Sequence, residues 1–373
     1  MRITKPRQAM FKLPSIAPES PSSPPRGPRG RSTAMRLVGW AGAGLFVYLI
    51  VRTGPEEIFK ALGRLTLPEI AALLTMRLAY WTVRALNWRA VLRYSCRERV
   101  PFLEILGARI SAYAVSYLTP AGNIGGETVR VLMLDRIGRG KCLASVVVDK
   151  TVEFLAGLFT VALAVLFLVT EFALPRAQRL RLFAAVAAVL LILVFLVLKQ
   201  KRGLFAWLLG LLQQLKIKVP FIESRRERIL ETDAHISEFY RSHTRLFIAL
   251  FLSYFGQAWL WAAEIYLTFL FLGSDVPSFF TCFLIVTLGS FYTFLPVPGS
   301  MGVYELTYVS LFALLRIDMT AGMAVILVRR VIGLLWAGVG LLPLIKARAA
   351  RSLNGMEERP DPAPGARNGS CGR

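Results

Sequence analysis

The sequence contains few of the residues on which catalytic and metal-binding proteins usually rely. Its 373 residues include only four cysteines and two histidines. The cysteines are too widely spaced to indicate a disulfide framework or a zinc site. No GxxxxGK[ST] loop is present, which argues against direct use of ATP. We therefore expect no metal and no cofactor.

Charged residues are also scarce, at 18% of the chain, while hydrophobic residues reach 55%. Soluble domains carry about 25% charged residues. The mean hydropathy is +0.53, and the apolar residues form long runs such as Leu182–Leu198. Because a membrane-spanning helix needs roughly 20 mostly apolar residues, several such runs predict an all-α polytopic membrane protein.

The charges that are present are mostly basic, with a net charge of +22. In a soluble protein this excess would suggest nucleic acid, but here the basic residues lie in the gaps between apolar runs. That distribution is typical of topology signals and of contacts with anionic headgroups. We therefore expect membrane lipids at the basic cytoplasmic loops as partners, and no nucleic acid.

The two ends of the chain read as disordered, basic cytoplasmic tails. Residues 1–35 are rich in Pro, Ser, Gly and Arg, and residues 347–373 are similarly polar. Both have too few apolar residues to fold. Between them, 36–346 is predicted to be one membrane domain, with 199–244 as a cytoplasmic amphipathic loop.

Ten apolar segments are recognised in the membrane domain, and two pairs of them are unusual. Thr119-Pro-Ala-Gly122 interrupts one pair and Pro296-Val-Pro-Gly-Ser300 the other, and the second member of each pair is too short to span alone. We predict about six full transmembrane helices plus two re-entrant broken hairpins, or seven to eight transmembrane segments. The ten segments are 37–51, 67–87, 102–119, 123–134, 144–170, 181–198, 245–272, 278–295, 303–315 and 321–345.

The distribution of Lys and Arg among the gaps predicts the orientation. One alternating set of gaps carries 28 basic residues and the other carries 7. Because basic loops stay in the cytoplasm, both termini are expected there. The same assignment makes the two hairpins enter from opposite faces of the membrane.

The two hairpins also resemble each other in sequence. In each, a glutamate follows a proline by seven residues with glycines between them: Pro120 to Glu127, and Pro298 to Glu305. A basic residue follows each glutamate in the next span, at Lys150 and Arg329. This pattern predicts an inverted-topology repeat with a shared site near the membrane midplane, as in many transporters.

Ionisable residues inside the apolar segments are the candidate site, because each costs roughly 2.5–3.5 kcal/mol at the bilayer centre. Three readings remain open for them: ion pairs that fix a hairpin to a span, arginines that reach the headgroups, and helix-capping carboxylates. Glu127 and Arg130 are three apart and can pair, whereas Arg77 and Arg84 are seven apart and share a helix face. The candidates for binding a lipid phosphate are Arg77, Arg84, Glu127, Arg130, Lys150, Glu305 and Arg329.

In order along the chain, four blocks carry a family resemblance: Arg77–Trp88, Thr119–Arg130, Val148-Asp-Lys-Thr151 and Pro298-Gly-Ser-Met-Gly-Val-Tyr-Glu305. With these blocks the chain resembles the transmembrane, flippase-like domain of lysylphosphatidylglycerol synthases, a family that includes stand-alone bacterial and archaeal membrane proteins. Family members often have Pro-x-Arg-x-Gly-Glu at the first hairpin, and here that Arg is absent.

The resemblance implies a stand-alone, multi-pass lipid flippase of the bacterial inner membrane that lacks the soluble synthase domain and is not an enzyme. Two alternatives remain open. One is an intramembrane enzyme that acts on lipid-linked phosphates, although no DxD-type motif or histidine base supports it. The other is a scaffold for lipid-biosynthesis enzymes, whose partners would bind the loop 199–244.

Overall fold

Eleven helices and no strands make up the part of the chain that the computed structural model describes, which is residues 51, 56, 63–95, 99–118, 124–134, 137–171, 175–214, 226–290, 293 and 302–357. We number them in chain order: α1 Leu67–Ser95, α2 Phe102–Leu118, α3 Ile124–Met133, α4 Arg139–Glu171, α5 Arg176–Arg202, α6 Leu204–Gln214, α7 Arg226–Ser242, α8 Thr244–Phe271, α9 Phe279–Gly289, α10 Val303–Leu314 and α11 Met319–Glu357.

Four of these helices are long and apolar enough to cross a membrane: Gly140–Thr170 within α4, α5, α8, and Met319–Ile345 within α11. The prediction of an all-α polytopic membrane protein is therefore confirmed. Helix α1 has 29 residues and a length of about 43 Å, but its charged residues are distributed along the helix from Glu69 to Arg93. The predicted span 37–51, apart from Val51, and both predicted tails, apart from residues 347–357 of α11, lie outside the described residues.

Two pairs of short helices lie where the sequence predicts broken hairpins. Helices α2 and α3 have 17 and 10 residues, and α9 and α10 have 11 and 12. None reaches the roughly 20 residues that a span requires. The two proline- and glycine-containing interruptions fall in 119–123 and 294–301, outside the described residues. The re-entrant path stays a prediction.

The packing of the helices repeats between α1–α4 and α8–α11. In each group the first helix packs on the second, the second on the third, and the third on the fourth. The second helix of each group also packs on the fourth helix of the other, α2 on α11 and α9 on α4. Such reciprocal contacts are expected when two similar units bury matching faces against each other.

Helices α1 and α8 pack against each other in antiparallel orientation. Arg77, early in α1, pairs with Glu264, late in α8, whereas Asn87, late in α1, accepts a hydrogen bond from Ser253, early in α8. The leading helices of the two groups therefore run in opposite directions, as an inverted repeat requires.

Small residues allow α2 and α11 to approach closely. A Cβ added to Gly340 would lie 2.4 Å from the carbonyl oxygen of Ile110 and 2.8 Å from Cβ of Ala114. The Ser111 hydroxyl donates to the Gly340 carbonyl oxygen at 2.7 Å. Close backbone contact of this kind is a common source of stability between membrane helices.

Two helices, α6 and α7, fold within the segment predicted to be an amphipathic loop. Ile236, Phe239 and Tyr240 on α7 are buried in a cluster with residues of α4 and α8. Asp233 on α7 accepts hydrogen bonds from the backbone N–H groups of Phe205 and Ala206, and so caps the start of α6. Part of this segment is thus fixed to the helical core.

Candidate functional site

The centre of the first charged site is Asp149, the eleventh residue of α4, whose side chain is completely buried. Arg109 on α2 and Arg130 on α3 each donate from Nη2 to its Oδ2 at 2.7 Å. Tyr254 on α8 donates its hydroxyl to Oδ1. Two cations and a hydroxyl therefore compensate one buried carboxylate, as a buried charge requires.

Arg130 connects this buried centre to a more accessible edge. Its guanidinium lies 4.0 Å from the ring centroid of Trp88, a cation–π contact that also shields it. Its Nη1 donates to Oε2 of Glu127 at 2.6 Å. Because Glu127 is one helical turn before Arg130 on α3, the short helix presents both charges on one face.

From Glu127 the ion pairs continue across three further side chains. Lys150 Nζ lies 3.1 Å from Glu127 Oε1 and 3.2 Å from Glu153 Oε2. Glu153 Oε1 lies 2.5 Å from Arg84 Nη2, and Arg84 donates to the Tyr80 hydroxyl at 2.6 Å. The side chains of Glu127, Lys150 and Glu153 are 23%, 31% and 25% exposed, so this edge is open.

We call these ionisable groups and Tyr254 the Asp149 network. It draws on α1, α2, α3, α4 and α8, and so joins helices of both groups. Its members carry four positive and three negative charges: Arg84, Arg109, Arg130 and Lys150 against Glu127, Asp149 and Glu153. The network therefore has one cationic charge more than its own carboxylates neutralise.

A second charged site surrounds Glu264 on α8. Arg77 on α1 donates from Nη2 to its Oε1 at 2.5 Å, and Nε of Arg329 on α11 lies 3.9 Å from the same oxygen. Trp261, one turn earlier on α8, lies beside both guanidiniums, with its ring centroid 4.9 and 5.1 Å from their carbon atoms. We call these four residues the Glu264 cluster.

The third pair, Glu305 and Arg330, links α10 to α11. Arg330 donates from Nη1 to Oε1 of Glu305 and lies over the ring of Tyr304. The other carboxylate oxygen of Glu305 accepts the backbone N–H of Gly302 at 2.7 Å and thus caps α10. Gly302 has φ +79°, which glycine adopts without strain.

The seven candidate residues of the sequence are therefore distributed over three places. The Asp149 network contains four of them, Arg84, Glu127, Arg130 and Lys150. The Glu264 cluster contains Arg77 and Arg329, and Glu305 lies at the start of α10. Arg77 and Arg84, seven residues apart on α1, bind different carboxylates.

The basic residue that pairs with the second glutamate is displaced by one position from the pattern in the sequence. Glu127 of the first hairpin pairs with Lys150 of α4, whereas Glu305 of the second pairs with Arg330 rather than with its neighbour Arg329. Arg329 faces Glu264 instead. A helix turns by about 100° per residue, so two adjacent arginines must point to different neighbours.

Arg109 is a member of the site that the sequence reasoning did not single out. It is the lone basic residue within the apolar helix α2 and is 3% exposed. An arginine flanked on both sides by apolar residues in a membrane helix indicates a buried partner, so the signal was present. Tyr254 gave no such signal, because a tyrosine in an apolar span is ordinary.

Among the described residues, no group of three or more His, Cys, Asp or Glu side chains has an arrangement that could hold a metal ion. Asp149, Glu127 and Glu264 instead each contact a basic side chain. The charged groups of these sites are thus arranged as ion pairs between carboxylates and basic side chains.

Comparison with known proteins agrees with this architecture. A family model described as the lysylphosphatidylglycerol synthase TM region matches residues 36–340. A UPF0104 membrane protein from Pyrococcus horikoshii is 23% identical over 316 residues, which cover 78% of this chain and 90% of that protein.

Proposed function

The chain belongs to the family of the lysylphosphatidylglycerol synthase transmembrane region, and we propose that it moves a modified or phosphate-bearing lipid between the two leaflets of a membrane. In this proposal the protein changes the location of the lipid and makes or breaks no covalent bond. The observation that carries it is the Asp149 network: a chain of ion pairs that is open at one edge and completely buried at the other.

The open edge is suited to receive a phosphate group. Lys150 bridges Glu127 and Glu153 there, at 3.1 and 3.2 Å. Ion pairs of partly exposed side chains are weak, worth about 0–1 kcal/mol. An incoming phosphate can therefore take the place of either carboxylate on Lys150, and the one uncompensated positive charge of the network matches a phosphodiester, which carries a single negative charge.

The buried end of the network is suited to keep its side chains in a fixed arrangement. Arg109 and Arg130 both donate to the carboxylate of Asp149, and both are at most 3% exposed. A buried pair resists removal of one partner because the remaining charge is left uncompensated. The buried end therefore remains in place while the groups at the edge exchange partners.

A route for the lipid headgroup beyond the Asp149 network follows the interface between α1 and α8. Arg84 belongs to the network and Arg77 to the Glu264 cluster, seven residues and about 10 Å apart along α1. Helix α8 likewise contributes Tyr254 to one site and Glu264 to the other. Since α1 and α8 lead the two oppositely directed groups, the interface between them is where alternating access would act.

The proposal also includes the setting of the protein. We place it in a bacterial inner membrane, with both termini in the cytoplasm and with the two hairpin pairs entering from opposite faces as re-entrant elements. The basic segments would contact anionic headgroups. Enzymes of lipid biosynthesis are the proposed protein partners, because they would supply the modified lipid.

Reconstitution tests the proposal. Vesicles that contain the purified protein and a fluorescent phosphatidylglycerol are treated with dithionite, which quenches only the outer leaflet, and the rate of further quenching reports transfer. We expect Lys150→Gln to slow transfer several-fold. Lys141→Gln is the matched control, since Lys141 is exposed near the start of the same helix.

Three results would count against the proposal or against its binding site. Equal rates for the wild type and for protein-free vesicles would exclude transfer of this lipid class, and the assay would be repeated with an aminoacylated lipid. Conversion of the lipid to a new product by the purified protein would show chemistry instead of transport. An unchanged rate for Lys150→Gln would remove the open edge from the binding site.

A further inference from the structure

Helix α6 has an apolar face that remains partly exposed. Leu204, Trp207, Leu208 and Leu211 recur at helical spacing on one side of the helix, and we call them the Trp207 face. The structure describes all 11 residues of α6, and none of them is buried. Trp207 and Leu208 are 38% and 43% exposed. Apolar side chains that stay this open, side by side on a short helix, indicate an interaction surface.

The helix that leads into α6 indicates what this surface contacts. Helix α5 is long and apolar enough to cross a membrane. The structure describes all 27 of its residues, and of these only Gln200 is buried. A spanning helix that is exposed and apolar faces lipid on its open sides. Only Gly203 separates α5 from α6, so α6 begins where α5 leaves the membrane.

Trp207 brings the apolar face of α6 to the lipid-facing surface of α5. Its ring contacts the ring of Phe195, with the centroids 5.6 Å apart, and Phe195 is itself 43% exposed. Phe195 precedes the end of α5 by seven residues, which is about 10 Å along the helix axis. The indole therefore lies level with the last two turns of the span, the depth at which tryptophan concentrates in membrane proteins.

Basic side chains lie at the same corner between α5 and α6. Lys199 Nζ is 4.5 Å from the ring centroid of Trp207 and 5.6 Å from that of Phe195. Lys201 and Arg202 complete the basic last turn of α5. Long basic side chains near the end of a span reach the headgroups, and anionic lipids attract clusters of them. An apolar face beside a basic turn is the chemistry that binds an anionic membrane surface.

Helix α7 holds this corner at two points. Asp233 accepts hydrogen bonds from the backbone N–H groups of Phe205 and Ala206 in the first turn of α6. Arg241 donates from Nε to the carbonyl oxygen of Lys201 at 2.6 Å, in the last turn of α5. The orientation of α6 relative to the span is therefore built into the fold.

We propose that α6 is a membrane-surface helix. Its Trp207 face inserts into the leaflet at the C-terminal end of α5, and the basic last turn of α5 binds the anionic headgroups of that leaflet. The occupant is lipid, rather than a second copy or a soluble protein, because the contact of Trp207 with Phe195 makes the face continuous with the lipid-facing side of α5. This membrane contact lies outside the Asp149 network and the Glu264 cluster, and it does not require that the protein transfers lipid.

Spin labels test the position of α6 in vesicles of phosphatidylcholine and phosphatidylglycerol. The label is attached to Leu208→Cys on the Trp207 face, or to Gln213→Cys, an exposed residue on the opposite side of the helix. Both variants are made in protein whose Cys96 and Cys371 are replaced by serine. We expect the ratio of collisions with lipid-soluble oxygen to collisions with a water-soluble nickel chelate to be several-fold higher at 208 than at 213. Leu191→Cys, which is 71% exposed within α5, gives the reference for the lipid interior.

Two results would overturn lipid as the occupant. Equal collision rates with the nickel chelate at 208 and 213 would place the Trp207 face in water. Protection of the label at 208 from both reagents would show that protein covers the face, either a second copy of this chain or another protein.

A charge variant tests the contact with anionic headgroups. Addition of phosphatidylglycerol to phosphatidylcholine vesicles should raise the ratio of oxygen to nickel collisions at 208. Lys199→Gln should abolish most of this rise, because it removes the cation beside Trp207. Arg179→Gln is the matched control, since Arg179 is exposed near the other end of α5, and it should keep the rise. A ratio that does not depend on phosphatidylglycerol, or an equal loss in both variants, would overturn the anionic headgroup as the partner.

Discussion

Arg130 and Asp149 form a hydrogen-bonded ion pair of 2.7 Å between α3 and α4, and both side chains are completely shielded. The pair attaches a ten-residue helix, too short to be stable alone, to one of the long spans. Since Asp149 also accepts from Arg109 and Tyr254, a single carboxylate holds together elements of both helical groups.

Replacement of that carboxylate should therefore destabilise the protein strongly. Asp149→Asn leaves Arg109 buried without its carboxylate partner and leaves Arg130 with Glu127 alone, and we expect a loss of about 3–5 kcal/mol in the free energy of unfolding. Thermal unfolding in detergent, followed by tryptophan fluorescence, measures it. Glu153→Gln is the control, because its side chain is 25% exposed and its loss should be smaller. Equal melting temperatures for both variants would show that Asp149 is not the centre of the network.

The close approach of α2 and α11 gives a second prediction. Gly340→Ala introduces a Cβ only 2.4 Å from the Ile110 carbonyl oxygen, so the helices must separate, at a cost of about 1–3 kcal/mol. Gly157→Ala on α4 provides the opposite case, since no atom beyond its own stretch of helix lies within 4 Å of the added Cβ and helix propensity favours alanine by about 0.5–1 kcal/mol. The two melting temperatures should move in opposite directions, and movement in the same direction would contradict the packing described.

The contact between α6 and α7 gives a third prediction. Asp233→Ala removes the acceptor for the N–H groups of Phe205 and Ala206, which lie 3.1 and 2.8 Å from its carboxylate. A lost cap of this kind costs about 1 kcal/mol. Hydrogen exchange should speed up in residues 204–208 and stay unchanged in α4. Glu238→Ala, exposed on the same helix α7, should leave the exchange of α6 as in the wild type.

The fourth prediction concerns the second hairpin. Glu305→Gln keeps an oxygen that can accept the Gly302 N–H and loses the charge that pairs with Arg330. We expect transfer of the fluorescent lipid to fall several-fold while the melting temperature changes little. Ser310→Ala, exposed on the same helix, serves as the control. A large fall in melting temperature would show that Glu305 acts through structure alone.

The sequence by itself determined the class of the protein and most of its helices. Long apolar runs specify membrane helices because the backbone must satisfy its own hydrogen bonds in hydrocarbon. The predicted segments 144–170, 181–198 and 321–345 each lie within one of the helices long enough to span, and 245–272 exceeds its helix by one residue. The pairing of Glu127 with Arg130 was also readable, because residues three apart on a helix are neighbours.

Only the tertiary structure decided which charges meet across helices. The rotation of each helix against its neighbours sends Arg77 and Arg84 to different carboxylates. It also pairs Glu305 with Arg330 and places Asp149 in contact with Arg109 and Tyr254. Helical periodicity gives the face that a residue occupies on its own helix. It does not give the neighbour that the face will contact, because that is fixed by the packing of helices distant in the chain.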